Sequence, residues 1–79
     1  MLDAYKTTGS SPPCRITLTD VLIMPGCTIA LGEGMDQCGR VVCFAGDWRL
    51  MLACAEALDA GRTVEVYLHG WQIIAWRHS

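Results

Sequence analysis

The sequence predicts a mainly β, α+β fold in the order strand, strand, strand, helix, strand, strand, and three observations carry that prediction. Short apolar segments with alternating polarity recur along the chain, punctuated by Pro-Gly, Gly-x-Gly and His-Gly turn signals. Residues 48–60 break that pattern with a longer Leu- and Ala-rich run bracketed by Asp47 and Gly61, the residues that start and stop helices. At 79 residues there is room for one hydrophobic core and no second domain.

Residues 1–13 contain Gly, Ser, Thr and the Pro12-Pro13 pair without apolar periodicity, which reads as a flexible N-terminal arm leading into a single domain over 14–79. Ile16 and Leu18 alternate with Thr17 and Thr19. Asp20 then interrupts before Val21, Leu22, Ile23 and Met24, so one long strand with a bulge or bend near Asp20 is expected, ending at the Pro25-Gly26 turn. Residues 28–31 form a short second strand, and Gly32, Glu33, Gly34, Met35 and Asp36 read as a loop. Residues 40–44 are β-branched and apolar, a third strand, broken by Ala45-Gly46. Asp47 is placed to cap the helix over 48–60 with its carboxylate, and Gly61 to end it.

On the helical wheel Arg49, Glu56 and Asp59 make one narrow polar strip, and apolar side chains fill most of the rest. One stripe suffices to cover a sheet, so the surplus, around Met51, Ala55 and Leu58, is assigned to a subunit interface. In the last segment Val64, Val66 and Leu68 alternate with Thr63, Glu65 and Tyr67, and His69-Gly70 reads as a two-residue hairpin turn. That turn pairs Leu68 with Trp71, Val66 with Ile73 and Val64 with Ala75 on the inner side. It leaves Tyr67, Ile74 and Trp76 on an apolar outer face, a platform for an interface or a ligand.

Composition bounds the function. The hydrophobic fraction is 52% and the charged fraction 18%, against about 45–50% and about 25% in an ordinary domain. No run approaches the roughly 20 apolar residues that cross a bilayer, so burial between subunits is the expected use of the excess. A net charge of −2, with the arginines spread along the chain, disfavours a nucleic-acid partner, since phosphate neutralisation needs clustered Lys and Arg.

The five cysteines are odd in number and include no CxxC, so neither a closed disulfide framework nor a metal site is signalled. Cys43 and Cys54 fall in apolar segments and behave as small hydrophobes, while Cys27 and Cys38 flank loops and could pair in an oxidising compartment. No basic start followed by an apolar run opens the chain, so the location expected as it stands is cytoplasmic, and secreted for a processed form. His69 in a turn and His78 near the C-terminus are not held against a nucleophile, and Gly32-Glu33-Gly34 lacks the Lys and helix of a phosphate loop. No catalytic constellation, cofactor or metal is therefore expected.

The element order, with a long bent first strand, is that of the OB-fold, a small five-stranded barrel. Beyond the order, Val21-Leu22-Ile23, Thr28-Ile29-Ala30-Leu31, Cys38-Gly39-Arg40-Val41-Val42-Cys43-Phe44, the Leu- and Ala-rich helix, and Gly61-Arg62-Thr63-Val64-Glu65-Val66-Tyr67 together resemble the B subunits of subtilase cytotoxin and pertussis toxin. That resemblance implies an OB-fold that forms pentameric rings, with helices facing a pore, neighbouring strands paired around the outside, and glycans bound on the barrel surface. In that family the cysteine matching Cys38 is bonded to one near the final hairpin, and residues 67–72 here contain none.

The first functional expectation is thus a non-catalytic homo-oligomeric binding module, with Met51, Ala55, Leu58, Ile74 and Trp76 at the subunit interface. Tyr67, Trp76, Glu65, Gln72 and Asp20 are the residues expected to meet a glycan. The alternative is a small intracellular adaptor or inhibitor, of phage or mobile-element type, that docks on a protein through its C-terminal hairpin. A third, an OB-fold stacking single-stranded nucleic acid on Trp76 and Tyr67, is disfavoured by the charge.

Overall fold

The computed structural model describes residues 13–70 and 72–79. The expected flexible arm over 1–13, apart from Pro13, and the expected inward Trp71 lie outside the described residues. Five antiparallel strands form one curled half-barrel sheet: β1 (Cys14–Ile23), β2 (Ile29–Met35), β3 (Val41–Asp47), β4 (Val64–His69) and β5 (Gln72–His78). A single helix, α1 (Trp48–Asp59), stands between β3 and β4, giving the order read from the sequence. The spatial order is β3-β2-β1-β4-β5, the sequence of strands around an OB-like barrel left open between β3 and β5.

Length and bend let β1 serve two neighbours. Its first residues pair with β4, Ile16 opposite Val66, and its later ones with β2, Leu22 opposite Leu31. Between Leu18 and Asp20 the register shifts, which is the bulge expected beside Asp20. There the Thr19 hydroxyl donates to the Glu33 carbonyl at 3.0 Å, and the Asp20 carboxylate accepts the Val21 amide at 2.9 Å. The bulge switches the outward set from Arg15, Thr17 and Thr19 to Asp20, Leu22 and Met24.

The core fills the concave side. Ile16 and Leu18 of β1 and Val64, Val66 and Leu68 of β4 are buried against Met51, Cys54 and Ala57, one stripe of α1. The helix ends as the sequence indicates: Gly61 has φ +80°, its amide donates to the Leu58 carbonyl and that of Arg62 to Ala57, a paired closure that consumes two orphan carbonyls. No described helix is long and apolar enough to cross a membrane.

Three expectations are corrected. Residues 32–35 are strand rather than loop. Gly32 and Gly34 point inward, where a Cβ on Gly32 would lie 2.5 Å from Phe44 Cζ and one on Gly34 would strike the Thr17 carbonyl oxygen. Glycine marks close approach here, not a turn. β3 likewise runs on through Gly46 to Asp47, whose carboxylate makes no capping bond; the Trp48 amide donates instead to the Thr28 carbonyl at 3.1 Å.

The third correction concerns the hairpin. His69 pairs with Gln72, so the connection is centred one residue later, and a shift between Tyr67 and Leu68 leaves Ile74 as an extra residue. Val66 therefore faces Trp76 and Glu65 faces Arg77. Trp76 packs against the core, half-buried, rather than standing on the outer face. An odd change of register exchanges inside and outside, and this one buries an indole and places an arginine beside a carboxylate.

Candidate functional site

The outer sheet surface has two halves of different chemistry. On the β1–β4–β5 half, Glu65 gathers cations: its Oε1 accepts from Arg77 Nε at 2.8 Å and from the Tyr67 hydroxyl at 3.2 Å, with Arg15 at 4.0 Å on the other oxygen. The Arg77 hydrogen bond chiefly holds the Glu65 carboxyl below its ordinary range, and Glu65 in turn raises Arg77. This cluster is internally satisfied.

The β1–β2–β3 half is different. The register aligns outward side chains in rows across three strands: Thr17, Met35 and Val41; Asp20, Glu33 and Cys43; Leu22, Leu31 and Ala45. Ile29 extends the apolar area at one end. Val41 is 64% exposed, Leu22 57% and Ile29 52%, so exposed apolar side chains flank the Asp20, Glu33 and Cys43 row on both sides. Scattered exposed leucines are ordinary, but a contiguous patch marks a contact surface. An open depression of about 460 Å³ occupies its middle, between Asp20, Leu22, Leu31, Glu33, Cys43 and Ala45.

Asp20 and Glu33 sit directly opposite each other within this patch. Like charges so placed repel. The described arginines are used elsewhere: Arg15 and Arg77 at Glu65, Arg40 at Asp36, Arg49 beside Asp47, and Arg62 on the Ser79 carbonyl at 2.8 Å. Glu33→Gln is expected to raise the thermal unfolding temperature at low ionic strength, with the gain shrinking as salt is added.

The residues expected to form a ligand site do not converge. Glu65 and Tyr67 are together, but Gln72 sits at the hairpin end of β5, Trp76 faces inward, and Asp20 belongs to the other half of the sheet. Of the expected interface set, Met51 is fully buried, Ala55 and Leu58 are half-buried, and Ile74 is 53% exposed. The β1–β2–β3 face is legible in the sequence only in part. Asp20 stands out as a polar interruption, whereas the outward direction of Leu22, Leu31 and Val41 cannot be read from the sequence, because strands 1 to 3 carry apolar residues on both faces.

All five cysteines are unbonded. Cys27 and Cys38 lie in the turns at opposite ends of β2, whose seven residues span about 23 Å, well beyond the roughly 7 Å that a disulfide bridges. Burial pushes the Cys54 thiol up to about 11, so it stays protonated in the core. Among the described residues no three His, Cys, Asp or Glu side chains cluster to hold a metal.

The β2–β3 turn is organised by Asp36. Its carboxylate accepts the Arg40 and Cys38 amides, each at 2.9 Å, and Arg40 Nε at 3.1 Å. These bonds, the Arg40 amide foremost, hold its pKa below the ordinary value, as Arg77 does for Glu65. A depressed carboxylate contributes stability in full above the unfolded pKa, about 4, and loses it as pH falls through the lower folded value. The urea midpoint is therefore expected to fall below about pH 4, and to fall less in an Asp36→Asn, Glu65→Gln double variant.

No known family, characterised protein or solved structure matches the chain.

Proposed function

We propose that the chain is a non-catalytic module that works by association, assembling with copies of itself through the open edges of its sheet. The observation that carries this reading is the unclosed half-barrel. β3 and β5 are the terminal strands of the sheet, seven residues each; they approach each other where Ile73 packs against Gly46, yet no described strand is hydrogen-bonded to the outer side of either. Native sheets blunt such edges with charge, proline or bulges. β3 carries none of these before Asp47 and its register with β2 is unbroken, whereas β5 carries the Ile74 bulge and Arg77, so β3 is the unprotected edge.

Two different edges meeting head to tail make a heterologous contact, which closes into a ring when the rotation allows. The resemblance to pentameric toxin B subunits supports the same arrangement and suggests five chains. Exposed Ile74, at the β5 bulge, is placed to meet the neighbouring copy. Ile74→Lys is expected to lower the native mass toward one chain while leaving the circular-dichroism spectrum unchanged. An assembly insensitive to this charge would remove β5 from the contact.

The adaptor reading is favoured by a separate feature, the apolar face of β1, β2 and β3. It differs from the hairpin expected for docking, because the observed register withdraws Trp76 from the surface.

A further inference from the structure

We propose that the outer face of β1, β2 and β3 binds a segment of a partner protein that presents a lysine or arginine between apolar side chains. This goes beyond self-assembly, since it uses the face of the sheet rather than its edges. The rows dictate the chemistry. A middle row holding Asp20 and Glu33 is flanked on one side by Leu22 and Leu31 and on the other by Met35 and Val41.

Covering the flanking rows with apolar groups excludes water from the middle one. Two carboxylates left there without a cation would be penalised by desolvation as well as by their mutual repulsion. A partner cation removes both costs. Among the described residues no arginine is paired with Asp20 or Glu33; Arg40, Arg62 and Arg77 are hydrogen-bonded to other oxygens, and Arg15 and Arg49 lie nearest Glu65 and Asp47. A second copy stacked face to face is the wrong occupant, as it would bring four carboxylates together. The depression between Asp20, Leu31 and Cys43 gives an entering side chain a place to sit. Neighbouring rows lie about 7 Å apart along the strands, so the apolar groups should stand at that spacing on either side of the cation.

The test uses a displayed library of random twelve-residue peptides selected on the full-length protein, with counter-selection on an Asp20→Asn, Glu33→Gln variant. Both substitutions keep the side-chain size, and the Asp20→Asn change retains a side-chain oxygen for the Val21 amide. The variant must first unfold in one cooperative transition at or above the wild-type temperature; if it does not, Glu33→Gln alone serves. The expected result is enrichment of peptides with one Lys or Arg flanked by apolar residues, binding the variant at least tenfold more weakly and weakening with salt. Enrichment without basic residues, equal affinity for the variant, or no enrichment would each overturn the proposal. Native mass is a separate readout, so a failure of self-assembly and a failure of this face are distinguishable.

Discussion

Gly34→Ala is expected to cost at least about 3 kcal/mol of folding stability, the upper end of overpacking penalties, and to leave much of the chain unfolded at 37 °C. The added methyl would strike the Thr17 carbonyl oxygen and approach Ile16 Cγ2 at 2.6 Å. The first obstacle is main chain, so no rotamer change removes it. Thr17 is also where β1 passes from β4 to β2, and moving it disturbs both ladders. A domain of this size has only about 4–12 kcal/mol in total. Urea unfolding followed by circular dichroism measures the loss, and a midpoint close to wild type would mean that β1 and β2 do not approach as described.

Met51→Ala is the second large effect, with an expected loss of about 2–5 kcal/mol by cavity formation. Met51 is fully buried, and its flexible thioether fills the spaces that Gly32 and Gly46 leave, its Cε 2.7 Å from a Cβ on the first and its sulfur 3.2 Å from one on the second. The side chain thereby fastens α1 to the inner side of β2 and β3. Because Gly32 and Met51 share one space, Gly32→Ala combined with Met51→Ala should lose less than the sum of the two single changes. Strict additivity in the same urea assay would show that the two sites do not touch.

The order of elements, the bulge beside Asp20, the Pro25-Gly26 turn and the helix limits were legible because each has a local cause. Alternation, a helix-stopping glycine and a polar interruption in an apolar run act within a few residues. What misled was long-range. Gly32 and Gly34 carry the residue type of a loop, yet they are glycine because Phe44, Met51 and Thr17 come close from other elements. The final hairpin is displaced by one turn residue and one bulge, neither of which alternation reveals. That displacement moves Trp76 from surface to core and shifts attention from the C-terminal hairpin to the opposite half of the sheet.

The apolar face of strands 1 to 3 is hidden for a related reason. Strands with apolar residues on both sides look like buried strands, and only the position of α1 shows which side is covered. Here the helix covers Leu18, Ala30 and Phe44 and leaves Leu22, Leu31 and Val41 outside.

The measurement that bears most directly on the proposed function is the native mass of the chain in solution, by light scattering across a range of concentrations and under reducing and non-reducing conditions. Edge-to-edge assembly predicts a discrete mass several times the 8.6 kDa of one chain, five chains for a ring like those of the toxin B subunits, and the same mass with reductant present, because strand edges rather than cysteines join the copies. A mass of one chain at every concentration would contradict self-assembly and leave the acidic, apolar face of β1, β2 and β3 as the surface through which the protein associates.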